Sequence, residues 1–242
     1  EPETGASGVL CQGNFELLGA AIGDAHACEE YMRERIGKCS KLLDELRNFE
    51  DPQVALRLLR NCAGVCRVTH SMRMTPPNLH AGALSEFDDK IRETFCHVTG
   101  LVPNNDQWNQ AACGLATGGL GLRQATPHAP AAFLASTCAS RELCHNLDNN
   151  YNLGAAEPGS HTNQALALLN SSLPVGDQVT PESLPNTKQR VLSAALDKAS
   201  FTRRHTSLCP ANQATLLSEC EKGAREIWQA IPHRSRGTAF PA

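Results

Sequence analysis

The chain has 242 residues and a formal net charge of −3. A hydrophobic content of 41% excludes wholesale disorder, and the mild acidity excludes a nucleic-acid binder that works through overall charge. Any such role must rest on a local basic patch or on a neighbouring region. Aromatics make up only 5%, so alanine and leucine do the packing, which suits helices better than sheets. The length allows one large domain or two small ones.

The eleven cysteines are an odd number, and no secretory signal accompanies them. That argues for reduced, mostly buried thiols in an intracellular protein, nuclear or cytoplasmic. No apolar run is long enough to span a bilayer, so no membrane is expected as a partner. The chain starts at Glu1 without a methionine and reads as a piece of something longer.

Residues 1–14 carry Gly, Ser and Glu without a period. The run "FELLGAAIG", Phe15 to Gly23, is apolar and closed by glycines, which predicts a strand or hairpin. A helical pattern follows from about His26 to Phe49, with Tyr31, Ile36, Cys39, Leu42, Leu43 and Leu46 as its stripe. The stretch "DPQVALRLLRNCAGVCRVTHSMRMTPP" predicts one continuous helix from the Asp51 cap and Pro52 to the stop at Pro76-Pro77. A helix over Leu79 to Val98 should turn Leu84, Phe87, Ile91 and Phe95 inward and end at Gly100.

A short helix from Asp106 to Cys113 precedes "GLATGGLGLR", which must be a turn or loop. Thr126-Pro127 opens an alanine-rich helix. Residues 148–162 read as an exposed connector. A short helix over Gln164 to Leu169 follows, then a helix-start signal at Thr180-Pro181-Glu182, a helix from Lys188 to His205, and a last one from Pro210 to Ala230. The fold class expected is mainly α, an array of about seven helices with a short strand or hairpin near the N-terminus. The segments are a hairpin over 1–24, helical regions over 25–147 and 163–242, and the connector between them.

On a continuous helix, Arg57, Arg60 and Arg67 fall within roughly an 80° arc, because each residue advances about 100°. Leu58, Cys62, Val65 and Met72 occupy a separate, packed arc, and Arg73 lies off the row near the helix end. A guanidinium row can follow a nucleic-acid strand. Equally, charged residues take the wet side of any amphipathic helix.

Other motifs say less. Cys62 and Cys66 share a helix face, but Cys138, Cys144 and His145 are wrongly spaced to complete a zinc site, so no metal is expected. The glycine loop lacks the lysine and hydroxyl residue of a P-loop. His70 and His80 flank the diproline turn and suggest no nucleophile pair. Asp88 and Asp89 are adjacent on a helix and point about 100° apart, so they make no clamp. No catalytic constellation emerges.

Taken in order, "FELLGAAIG", "DPQVALRLLRNCAGVCRVTHSMRMTPP", "LSEFDDKIRETF", "GGLGLRQATPHAPAAFLAS" and "REIWQAIP" resemble reverse transcriptases of non-LTR (LINE-like) retrotransposons. The resemblance runs from about Phe15 to Pro232. It implies that Phe15, Leu17, Leu18 and Gly19 correspond to the primer grip and that the following helices are thumb and linker. It also implies that Arg57, Arg60, Arg67 and Arg73 are nucleic-acid contacts to a template–primer duplex. The family's catalytic Y/F-x-D-D motif would precede Phe15, and the chain contains none. The parent would be an RNA-directed DNA polymerase using Mg, while this fragment needs no cofactor and does not polymerise alone. The alternative is a non-enzymatic helical scaffold, derived from a retroelement, with a protein partner.

Overall fold

The computed structural model describes residues 13–229 of the chain. The aperiodic start over residues 1–12 and the end of "REIWQAIP" lie outside the described residues. The structure is mainly helical, with one two-stranded antiparallel hairpin near its N-terminus. Strand β1 (Phe15–Leu17) pairs with β2 (Ala20–Ile22), with Phe15 opposite Ile22 and Leu17 opposite Ala20.

Helix α1 (Ala25–Arg47) starts at Asp24, whose side chain accepts from the Ala27 N–H. Its buried stripe is Cys28, Met32, Ile36, Cys39, Leu43 and Leu46. Tyr31 and Leu42 were expected in that stripe but are only half-buried. Tyr31 instead turns its hydroxyl to Glu16 Oε1 at 3.0 Å, because an amphipathic ring with a polar tip suits the stripe's edge.

The expected continuous helix over 51–77 is broken. Asp51 caps α2 (Pro52–Leu58) as predicted, accepting from the Gln53 and Val54 N–H groups at 2.9 and 3.2 Å. A wider π-type turn then spans Leu59–Ala63, and Gly64 leaves helical geometry at φ −79°, ψ −146°. A single 3₁₀ turn (Val65–Arg67) leads into the short α3 (Thr69–Met74). A π turn adds a residue and resets the phase of the helix. The predicted packed arc therefore fails at Cys62, which is exposed, and holds at Met72, which is buried.

Helix α4 (Ala81–Thr99) matches expectation, with Leu84, Phe87, Ile91 and Phe95 buried and Gly100 ending it. It packs along α1, and together their apolar faces form the first core. Burying a side chain such as Phe87 is worth about 1.5–3 kcal/mol. Helix α5 (Asn105–Ala112) is opened by a capping box between Asn104 and Gln107 and adds Trp108, whose ring lies 5.6 Å from that of Phe95.

After a 3₁₀ turn at Thr126–His128 comes α6 (Ala129–Leu147). Its small residues allow close approach on two sides. Ala129 and Ala132 belong to the first core, whereas Ala131, Phe133, Leu134 and Cys138 belong to a second. That second core is completed by α7 (His161–Ser171) and α8 (Gln189–Ser207). The signal at Thr180-Pro181-Glu182 starts no long helix: the segment makes turns and a 3₁₀ turn at Leu184–Asn186. The last expected helix is split into α9 (Pro210–Glu219) and α10 (Lys222–Gln229).

All ten described cysteines are free, but only Cys28, Cys39 and Cys138 are buried. The expectation of mostly buried thiols is corrected accordingly. No described helix is long and apolar enough to cross a membrane.

Asp88 is the buried polar anchor of α4. Its Oδ1 accepts from the Ala125 N–H at 2.6 Å and its Oδ2 from the Thr126 N–H at 2.9 Å. Burial pushes its carboxyl above the ordinary range, while the two backbone donors pull the other way. Asp88→Ala should cost about 3 kcal/mol, since it leaves the buried Ala125 N–H and the partly buried Thr126 N–H unmatched. Urea unfolding with an unchanged m-value measures that loss.

His80 is almost fully buried, and its Nε2 has no hydrogen-bond partner among the described residues. Burial lowers its pKa from 6.5 to about 4. The unfolded chain therefore takes up a proton near pH 6.5, before the folded chain does. The stability this group contributes is full above pH 6.5 and falls as pH drops toward 4, by about 3 kcal/mol. Replacing His80 with Leu should remove that component of the pH dependence in matched denaturation series.

Candidate nucleic-acid interface

The hairpin turn is held from two sides. Leu18 and Gly19 both have positive φ, 49° and 78°, the combination of a type I′ turn. Arg35 Nη1 donates to the Gly19 carbonyl at 3.0 Å, and His70 Nε2 lies 3.1 Å from the Leu18 carbonyl. Arg35 also lies over the Tyr31 ring. Thus α1 and α3 fix the tip, while buried Ala20 and Ala21 seat β2 on the protein. Phe15 is half-buried, and Leu17 and Leu18 point outward, Leu18 being 85% exposed. Glycine at position 19 carries its positive φ without strain, whereas a leucine at +49° costs about 1–3 kcal/mol.

The four predicted arginines do not form one row. Arg57, in the last turn of α2, and Arg60, in the π-type turn after it, line an open cleft of about 560 Å³ with Asn61, Gly121 and Arg123. Arg60 Nη1 donates to the Leu120 carbonyl at 3.4 Å. Burial first, and then the neighbouring Arg57 charge, lower the pKa of Arg60, so the two guanidinium groups repel. Arg67 is exposed on its own turn beyond the helix break and does not line this cleft. Arg73 stands on α3 and gives both Nε and Nη2 to Gln189 Oε1, at 3.0 and 2.7 Å.

The glycine loop supplies the other wall. It folds back on α5: the Leu120 and Leu122 N–H groups bond the Ala111 carbonyl, and the Gly121 N–H bonds that of Cys113. These donors cap the helix, which is why the loop cannot cradle a phosphate as a P-loop does. Gly121 has φ +75°, and a Cβ there would come within 2.8 Å of Arg60 Cδ. The glycine therefore lets the loop pass against the arginine stem.

Arg123 ends this loop and joins two clefts. The second, of about 500 Å³, is lined by Arg73, Arg123, Gln189, Arg190 and Asp197. Arg123 pairs with Asp197 Oδ2, and His128 Nε2 lies 3.4 Å from Asp197 Oδ1. Burial opposes ionisation of Asp197, but the His128 hydrogen bond and the Arg123 charge outweigh it and hold the carboxyl below its ordinary range. Arg123 and Arg190 were not singled out in the sequence. The signal available was the arginine closing the glycine loop, but its neighbours are distant in the chain.

No three His, Cys, Asp or Glu residues converge as a metal-ligand group among the described residues. No family model, curated protein or solved structure matches the chain.

The strained hairpin tip can be relieved by residues that accept positive φ. Leu18→Asn and Leu18→Gly should each raise stability by about 1 kcal/mol, and Leu18→Pro should lower it. The shift in denaturation midpoint at constant slope checks the direction.

Proposed function

We propose that this chain grips the phosphate backbone of a nucleic-acid duplex, as the thumb-and-linker part of a non-LTR retroelement reverse transcriptase. The observation that carries this reading is the pair of clefts joined at Arg123, with Arg57 and Arg60 in one and Arg73 and Arg190 in the other. Arg57 and Arg60 place positive charge side by side at the cleft, and guanidinium forks match phosphate oxygens. The ordered sequence phrases that resemble the family support the same reading, as does a hairpin at the position of the primer grip. Under this reading the exposed Leu18 apex meets the end of the primer strand. Bond formation and its Mg ions belong to a palm carrying the Y/F-x-D-D motif, which this chain does not contain.

Backbone gripping is insensitive to sequence and sensitive to salt. A second reading, a helical scaffold with a protein partner, is favoured by one observation. Leu143 and Leu147 stand one turn apart on α6 and are 69% and 91% exposed.

Fluorescence anisotropy with a labelled RNA–DNA hybrid at low salt tests the first reading. Arg57→Ala should reduce the slope of log affinity against log salt by about 1. The combined Arg57→Ala, Arg60→Ala and Arg67→Ala variant should bind about tenfold more weakly or worse, with Arg67→Ala alone contributing least. Full retention of binding by the triple variant overturns the reading. A stoichiometric protein complex without any hybrid binding supports the scaffold instead.

A further inference from the structure

The break after α2 carries two thiols that the duplex-gripping reading does not use. Cys62 lies in the π-type turn and Cys66 in the 3₁₀ turn that follows, and both are exposed. On a regular α-helix, residues four apart keep their Cβ atoms about 5–6 Å apart, whereas a disulfide needs about 3.5–4.5 Å. An unbroken helix would therefore hold the two sulfurs apart. The break removes that obstacle. Gly64, midway between them, leaves helical geometry at φ −79°, ψ −146°. A Cβ at this position would lie 3.1 Å from the Leu59 carbonyl oxygen, so glycine suits the tight passage.

One contact shows how near the two residues come. The Cys66 Sγ–H donates to the Asn61 carbonyl at 3.5 Å. That oxygen and the Cys62 Cα belong to one planar peptide unit, in which they stand about 2.8 Å apart. The Cys66 sulfur is thus no more than about 6 Å from the Cys62 Cα, a gap that rotation of two exposed side chains closes.

The surroundings suit an anionic reagent. Arg57 and Arg60 line the cleft with Asn61, and Arg67 follows Cys66 directly. Oxidised glutathione, a disulfide of net negative charge, is drawn to such a surface.

We propose that Cys62 and Cys66 are a redox pair that closes reversibly into an intramolecular disulfide by exchange with a low-molecular-weight disulfide. One cysteine gives up its proton and attacks glutathione disulfide. The S–S bond of the reagent breaks, a mixed disulfide forms, and the departing glutathione thiolate takes up a proton. The second cysteine, deprotonated in turn, attacks the protein-bound sulfur, forms the Cys62–Cys66 bond and releases the second glutathione. Two protein thiols are oxidised, and one glutathione disulfide is reduced to two thiols. Excess dithiothreitol runs the exchange backwards.

The full chain is incubated with glutathione disulfide, its remaining thiols are blocked with iodoacetamide, and it is digested with trypsin without reductant. Cleavage after Arg60 and Arg67 releases the peptide Asn61 to Arg67, which carries both cysteines. From the wild type this peptide should be lighter by two hydrogens than its reduced form, should resist alkylation, and should regain both thiols with dithiothreitol. Cys209 is also exposed but has no cysteine within ten residues of it in the chain, so it should carry glutathione instead. Cys66→Ser should trap the mixed disulfide at Cys62, with about tenfold more glutathione adduct on the peptide than in the wild type. Circular dichroism should not distinguish the two proteins. The proposal is overturned if the wild-type peptide stays reduced, carries glutathione on both cysteines, or joins a second chain. The peptide mass reports on the thiols whether or not the chain binds a hybrid, so this proposal and the duplex-gripping reading fail separately.

Discussion

The buried carboxylate of Asp88 determines where the rest of the molecule sits. By accepting the Ala125 and Thr126 N–H groups, it ties the middle of α4 to the chain just before α6. That single joint sets the exit of the glycine loop and the start of the helix whose two sides fill two cores. It also fixes Arg123, only two residues before Ala125, within reach of Asp197 on α8. An ionised group at this depth is unfavourable on burial grounds alone, and its upward-shifted pKa records that cost. Two backbone donors at the start of a turn offset it, since both carboxylate oxygens are matched.

From this joint the cationic surface follows as a consequence of packing. The glycine loop uses its own N–H groups to cap α5, so what it offers outward is shape and one arginine. Gly121 leaves room for the Arg60 stem, and the Leu120 carbonyl orients the Arg60 head. The basic side chains of the region are therefore brought from three places in the chain, with the loop as their support.

Much of the fold was legible in the sequence because it is written locally. The α4 pattern of Leu84, Phe87, Ile91 and Phe95 and its stop at Gly100 need only helix periodicity. The Asp51-Pro52 start is equally local, and the glycine-closed run Phe15–Gly23 marked the hairpin without placing its turn at Leu18-Gly19. The break after Leu58 was not legible, because apolar and basic residues keep nearly the same spacing through it. Only Gly64 marks it, and an isolated glycine is tolerated in helices. The same break separates Arg67 from Arg57 and Arg60, so a helical projection across it joins residues that do not share a surface. The partners that complete the clefts were out of reach for another reason. Arg60 meets Leu120 across 60 residues, Arg123 meets Asp197 across 74, and Arg73 meets Gln189 across 116. No period encodes such separations.

A net charge of −3 and a basic surface are compatible because the charges are sorted by location. On the α1–α4 side, Arg33 sits between Glu29 and Glu86, and Arg47 between Asp44 and Glu93. Those exposed pairs add little stability, and with four carboxylates against two guanidinium groups they leave that side acidic. Around the glycine loop Arg57 and Arg60 stand close together, and Arg73 donates to the uncharged amide of Gln189. Asp197 is the carboxylate among the residues lining the second cleft, and it is already shared between Arg123 and His128. At physiological salt, fields decay within about 8 Å, so the acidic remainder of the chain does not cancel this region. Any anion approaching it would meet the local arginine field before the overall negative charge of the chain.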